Sequence, residues 1–308
     1  MNIFPKFSSN DGTGYVYTNT RVRVMKSKLL KKDDFERLLK MSLSEIAKFL
    51  QETEYKKEFD EFARFFNGMP LVEYSLNKNI ENQFSSILKF SVRNARGELN
   101  LYLERFDVMN IKTILRGKLS GIDNEFVLNE MIAAGKLSRA FFKELVEKSK
   151  TFDDVIENMK GNDYYAIIKK YHDNFPKMED ELDRHYYKKV LKSASKSLKD
   201  FVTFEILLKN KAINARTAKH KLEFEPIKNS VRYKHEEFHD SLELRTTLKR
   251  KLINEALKMA SRFSRDVTPV IGYFMAKENE IYNIRMIIRG KKSNLDEDVV
   301  RKQLIVGE

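Results

Sequence analysis

A fourteen-residue stretch of this chain is present twice. Asn110–Asp123 reappears as Asn283–Asp296, with eight positions identical and three more (Lys112/Arg285, Leu115/Ile288, Ile122/Leu295) changed without a change of chemistry. A self-match at so long an interval marks a structural unit used more than once. It points to a scaffold of stacked helical lobes rather than to one catalytic cleft.

The repeated segment reads as the end of a helix. Asp107, Asn110, Ile111 and Ile114 fall at i, i+3, i+4 and i+7 and so share one face, and Glu280, Asn283, Ile284 and Ile287 repeat the arrangement. Arg116 and Arg289 sit in the last turn, where a cation meets the negative end of the helix dipole. Gly117 and Gly290 follow, as helix caps do. An Asp–Asn or Glu–Asn pair on an apolar face has two readings: a ligand or proton site, or a buried hydrogen-bond network that fixes how helices cross. The second is preferred, because buried polar groups must be partnered and often set packing register. Arg21, Arg23, Arg93 and Arg96 are candidate partners for the carboxylates.

A weaker repeat accompanies it. Leu38-Leu39, then Ser42 to Leu50, then Tyr55, resembles Leu145-Val146, then Thr151 to Met159, then Tyr164: in both, a short helix pair closes on a tyrosine. A blurred third copy of the Asn/Arg helix spans Asn210 to Arg216, with Leu207 where the acid should be. Three lobes, about 1–105, 106–205 and 206–308, suit a chain of 308 residues.

The rest of the pattern is helical. Only 11 Gly and 5 Pro punctuate it, and apolar residues recur at helical spacing. Asp33 or Asp34 caps a helix carrying Phe35, Leu38 and Leu39; Ser42 or Ser44 caps the next. Gly68 and Pro70 mark a break. Longer helices are expected from Leu76 to Leu88 or beyond, from Leu99 to Arg116, and from Val231 to Arg265 with Pro269 ending it. The fold expected is all-α, with three pseudo-repeated lobes.

The formal charge is +13, from 58 Lys and Arg against 45 Asp and Glu, which favours an acidic partner: nucleic acid, an anionic membrane face or an acidic subunit. There is no Cys, which removes disulfides and thiolate metal sites. No run approaches the ~20 apolar residues of a membrane span, and no signal-peptide core opens the chain. A soluble intracellular protein is expected, one that can still sit on a membrane by holding something embedded in it.

No motif carries catalysis. His235-Glu236-Glu237-Phe238-His239 fits H-E-x-x-H, but Lys234, Glu237 and Asp240 surround it and no third ligand follows; Glu255 and Glu278 are merely available acids. His172, His185 and His220 are isolated. Asp11-Gly12-Thr13-Gly14 lacks the strand–turn–helix context of a phosphate loop. Arg184 to Lys189 and Lys169-Lys170-Tyr171 combine basic and aromatic residues, a pattern that serves RNA or an ordinary helix surface. No cofactor is expected.

Several of these features, in this order, resemble one family. Tyr15-Val16-Tyr17-Thr18-Asn19-Thr20-Arg21-Val22-Arg23, Leu29-Leu30, Ser44-Glu45-Ile46, Tyr55, the doubled Asn-Ile-x-x-Ile-x-Arg-Gly-Lys helix and Gln303-Leu304-Ile305 are similar to the C subunit of archaeal and bacterial V/A-type ATPases, the counterpart of the d subunit of eukaryotic V-ATPases. The resemblance covers nearly the whole chain and departs from the pattern in the degenerate middle copy. It implies a three-lobed helical funnel without a catalytic site. Such a funnel lies on the cytoplasmic side of the membrane, between the central stalk and the proteolipid rotor ring, and carries torque for ion transport. In that setting the positive charge would meet ring loops and anionic lipid headgroups. The alternative reading is a basic helical nucleic-acid-binding protein.

Overall fold

The computed structural model describes residues 13–217, 241–261 and 264–306. Every regular element among them is a helix: α1 (Thr13–Ser27), α2 (Lys32–Lys40), α3 (Leu43–Gln51), α4 (Lys56–Phe62), α5 (Gly68–Phe90), α6 (Arg93–Leu103), α7 (Arg105–Leu119), α8 (Asn124–Glu130), α9 (Arg139–Lys148), α10 (Phe152–Asn158), α11 (Tyr165–Lys170), α12 (Phe175–Ser193), α13 (Lys196–Thr217), α14 (Ser241–Ser261), α15 (Thr268–Lys292) and α16 (Glu297–Gln303). The fold is all-α. The chain divides into two compact units: residues 50–193 form one, and residues 1–49 together with 194–308 form the other.

The contiguous unit is built on α5 and α7. Leu76, Ile80, Phe84 and Ile87 of α5 recur at helical spacing and are all buried. Gly68 and Pro70 break the chain as expected and open this helix, with Gly68 at φ 58° supplying the turn into it. α4 packs along α5, while α8, α10 and α12 surround α7. The single helix expected from Leu99 to Arg116 is two. Glu104 separates α6 from α7, and its carboxylate lies against Lys189 Nζ at 2.5 Å.

In the discontinuous unit, α15 is the central element. Its first turns, Thr268 to Lys277, are buried on every side, as the apolar run Val270–Ala276 within them requires. α1, α2, α14 and α16 pack against it. α14 approaches so closely at Gly272 that a β-carbon there would overlap the Ala256 carbonyl and Ala260. Of the long helix expected from Val231 to Arg265, the described part is α14. Pro269 belongs to the first turn of α15, where its missing N–H removes no helical bond.

Candidate functional site

The repeated helix ends in a clamp. Asn110 is fully buried on α7. Its Nδ2 donates to the Ile132 carbonyl at 2.8 Å, and its Oδ1 accepts from the Ile132 N–H at 3.1 Å, so one side chain holds both sides of a peptide residue on the link after α8. One turn earlier Asp107, also fully buried, accepts the N–H of Lys136 at 2.8 Å and of Leu137 at 3.0 Å. Gly135 makes that reach possible, since a β-carbon there would collide with the carboxylate. Burial pushes the Asp107 carboxyl up to about 6, against the pull of the two amides, which favour the anion.

The second copy does the same on α15. Asn283 donates to the Ile305 carbonyl at 2.9 Å and accepts the Ile305 N–H at 3.0 Å. Glu280, in the place of Asp107, accepts the Leu30 N–H at 2.5 Å and the Lys277 ammonium at 2.8 Å. Asn279 adds a third hold, donating to the Ile305 carbonyl at 2.6 Å.

The weaker repeat docks on the stronger one. Lys118 Nζ donates to the carbonyls of Val146 (3.0 Å) and Ser149 and to Asn124 Oδ1, while Lys291 Nζ donates to the carbonyl of Leu39 at 2.6 Å. Val146 and Leu39 are the residues matched in the weaker repeat. Both copies then enter their next helix through a capping box. Ser42 Oγ accepts the Glu45 N–H while Glu45 accepts the Ser42 N–H, and Thr151 is paired likewise with Asp154. Tyr55 and Tyr164 are buried beyond them.

One repeated unit therefore consists of an Asn helix, a short helix, the clamped isoleucine, a link, and a helix pair. In the contiguous unit it runs in order, from α7 through α10. In the discontinuous unit the Asn helix and short helix are α15 and α16, from the end of the chain, and the helix pair is α2 and α3, from its beginning.

Gly117 and Gly290 are not caps, as their position in the sequence suggested. α7 continues to Leu119 and α15 to Lys292, with Ser120 and Ser293 closing them. The left-handed residues lie later, at Gly121 (φ 62°) and Asn294 (φ 50°). The two glycines are there for packing: a β-carbon on Gly117 would overlap a Val127 methyl, and one on Gly290 a Val300 methyl. Each short helix thus lies directly on its Asn helix. Asp123 and Asp296 cap α8 and α16 from below the same turn, bonding the N–H of Glu125 at 2.8 Å and of Asp298 at 2.7 Å.

Arg116 reaches across to Glu179 at 2.6 Å and Arg289 is exposed. Of the arginines suggested by charge pairing, Arg96 holds the Lys89 and Ser91 carbonyls and Arg21 donates to the Tyr17 hydroxyl. Arg93 is exposed, and the hydrogen bonds of Asp107 come from main-chain amides. Sequence reasoning missed Lys118 and Lys291, although both stand in the doubled motif, and it missed Ile132 and Ile305, which bear no signal except their shared distance from the asparagines.

The other motifs are dispersed. The H-E-x-x-H segment and His220 lie outside the described residues, as do Asp11 and Gly12. His172 is half exposed beside Asp173, and His185 lies edge-on to the Tyr164 ring. Tyr186 points inward and donates to the Tyr102 carbonyl at 2.9 Å. Among the described residues no group of three or more His, Asp or Glu is placed to hold a metal. Asp107 and Asn110 on α7 and Asn283 on α15 are occupied with main-chain atoms of their own unit, an arrangement that fixes geometry.

Comparison with known proteins agrees on one family. The ATP synthase (C/AC39) subunit family matches residues 18–233 and 211–303. The C subunit of the A-type ATP synthase of Methanococcoides burtonii is 32% identical over 99% of this chain and 100% of its own length. That of Methanosarcina acetivorans is 33% identical over 96% of this chain and 93% of its own. A third, of Archaeoglobus fulgidus, is 28% identical over 95% and 96%.

Proposed function

This chain belongs to the ATP synthase (C/AC39) subunit family, and from that premise we propose that its doubled clamps are the stiffening pins of a part that carries torque. The protein is the non-catalytic rotor component that connects the central stalk to the membrane rotor ring of a V/A-type ATPase. A connector of that kind must resist twist. Close-packed helical interiors deform little, and a side chain that holds both groups of a peptide residue stops one element sliding over the next. The observation that carries this reading is the identical grip of Asn110 on Ile132 and of Asn283 on Ile305. Dissipating a twist would mean leaving buried amides unpaired.

No helix among the described residues is long and apolar enough to cross a membrane. The reading places the chain peripherally, on the cytoplasmic face. The charge of +13 supports a further element of it, contact with ring loops and anionic lipid headgroups. A division into three lobes, about 1–105, 106–205 and 206–308, also belongs to the reading. Its support is Asn210 on α13 at the six-residue spacing from Arg216.

Purification of the chain from membranes under mild detergent tests the core of this. Stalk subunits and ring proteolipid should arrive with it in fixed proportion; arrival alone, or with RNA, would overturn it. Attachment to the ring should weaken as salt rises from about 50 to about 500 mM, because screening shortens the reach of exposed charge. Indifference to salt would remove the electrostatic element and leave the rest.

A further inference from the structure

The two repeated units differ in how the clamped isoleucine is joined to the residue held by the acid. In the contiguous unit the clamped Ile132 and the amide of Leu137 that Asp107 holds are joined by Ala133 to Lys136, and this link is itself pinned where the Ala133 N–H donates to Glu81 at 2.7 Å. In the discontinuous unit the corresponding residues are Ile305 and Leu30, which come from opposite ends of the described chain. A cleft of about 920 Å³ opens between them, lined by both residues together with parts of α1, α14 and α15.

The chemistry of the cleft is uneven. Its floor is apolar, from Leu29, Leu257 and Val306 among others. Lys26, Lys31, Lys32 and Lys258 stand around it. Lys26 is spent on the Ser261 hydroxyl at 2.8 Å. The ammonium groups of the other three have no acidic partner among the described residues, whereas those of Lys112 and Lys189 elsewhere each hold a carboxylate. The only carboxylate lining the cleft among the described residues, Glu280, is already engaged by Leu30 and Lys277. Asn279, 8% exposed, also lines it, and its Oδ1 is buried without a donor. A buried amide oxygen left so is costly, and the missing contact is a hydrogen-bond donor.

We propose that this cleft receives a short acidic peptide segment of a partner subunit, which runs where the link between Ile132 and Leu137 runs in the other unit. Its carboxylates meet Lys31, Lys32 and Lys258, a main-chain N–H meets Asn279 Oδ1, and an apolar side chain covers the floor. A bare phosphate or a lipid headgroup matches the lysines but leaves the floor uncovered. A peptide satisfies all three at once, as edge-to-edge addition of a strand or link does elsewhere. The inference rests on the proposed function only for the source of the segment, a neighbouring subunit of the assembly.

The chain has no cysteine, so one introduced thiol reports alone. Ser27 lines the cleft and is exposed, and Ser27→Cys in the complex purified from membranes can be labelled with a cleavable photo-cross-linker. The expected product joins this chain to an Asp- or Glu-bearing peptide of another subunit, identified by mass spectrometry, and its yield falls about tenfold in Lys31→Glu/Lys258→Glu through loss of charge complementarity. Lys31→Arg/Lys258→Arg should retain it, and all variants should melt with the parent. Three results overturn the proposal: adducts only with this chain's own termini, adducts only with lipid, or a thiol that reacts with maleimide as fast in the complex as in the free chain. In the last case stalk and ring still copurify, and the functional reading stands without this site.

Discussion

Asn283 holds Ile305 as Asn110 holds Ile132, each through two hydrogen bonds to a residue 22 positions downstream. The equivalence is one of bonding and not merely of sequence, and it shows what the duplicated segment preserves. Positions with a fixed contact kept their identity: Asn and Lys, which hold main chain, and Gly, which lies against a valine of the short helix. Exposed positions between them drifted, such as Leu119 against Lys292 and Gly121 against Asn294.

Replacing either asparagine by leucine should be costly. Asn110→Leu leaves the buried N–H of Ile132 without a partner and Asn283→Leu does the same at Ile305, while each carbonyl keeps a second donor, the Ala134 N–H in one unit and Asn279 in the other. An unsatisfied buried group costs about 1–3 kcal/mol, so each variant should lose about that much. Denaturant unfolding of the isolated chain measures both. Absence of any loss would contradict the pinning role, and so would undiminished coupling of ATP turnover to ion transport in complexes carrying the variants.

Gly117→Ala and Gly290→Ala should each destabilise by overpacking, by about 1–3 kcal/mol, because the added methyl meets Val127 or Val300. Pairing each with Val127→Ala or Val300→Ala should return part of the loss. The interaction energy from the double-mutant cycle is the decisive quantity. A cycle that sums to zero would show the glycines are there for another reason.

The raised pKa of Asp107 has a definite sign. With the folded value near 6 and the unfolded value near 3.9, the folded chain binds more protons through this interval. Stability contributed by the group is therefore present at low pH and lost as pH rises from about 4 to 6, by up to about 3 kcal/mol. Asp107→Asn should flatten that part of the profile, while leaving one of the Lys136 and Leu137 amides poorly served. Chemical denaturation at several pH values decides it; identical profiles for the two chains would refute the assignment.

Glu45 and Asp154 have the opposite sign. Hydrogen bonds from Ser42 hold the Glu45 carboxyl below its usual range, and those from Thr151 and Lys150 do the same for Asp154. What these caps contribute is present above the ordinary carboxylate pKa and fades as pH falls through the lowered value. Thr151→Ala should cost about 1 kcal/mol by removing the hydroxyl that completes the box, and its effect on thermal unfolding should be smaller in acid.

How much of this the sequence displayed depends on what held each residue. The Asn helices were legible because residues held by a fixed contact leave identical letters: Asn, Ile, Gly and Lys recur in register. Their partners were not legible, because Ile132, Leu137, Leu30 and Ile305 contribute main-chain atoms, which any residue supplies. Charge pairing therefore pointed to arginines, while Asp107 was met by amides. The glycines were read as stops because a Gly after a basic last turn usually is one; their packing against Val127 and Val300 depends on a helix folded back across the end, which no local pattern reports. The break at Glu104 between α6 and α7 was also hidden, since the apolar period runs on through it and the residue itself keeps helical angles.

One of the two compact units is written in a single passage, residues 50–193, and the other in two, residues 1–49 and 194–308. During synthesis the first can close while the ribosome is still at work, but the second has its central helix, α15, well downstream of residues 50–193. Until that helix emerges, α1 and α2 have only part of their eventual bed, and Phe35, Leu38 and Leu39 stay wet. A nascent chain halted before Thr268 should thus present a protease-resistant middle and a digestible front, and emergence of α15 and α16 should protect the front in one step.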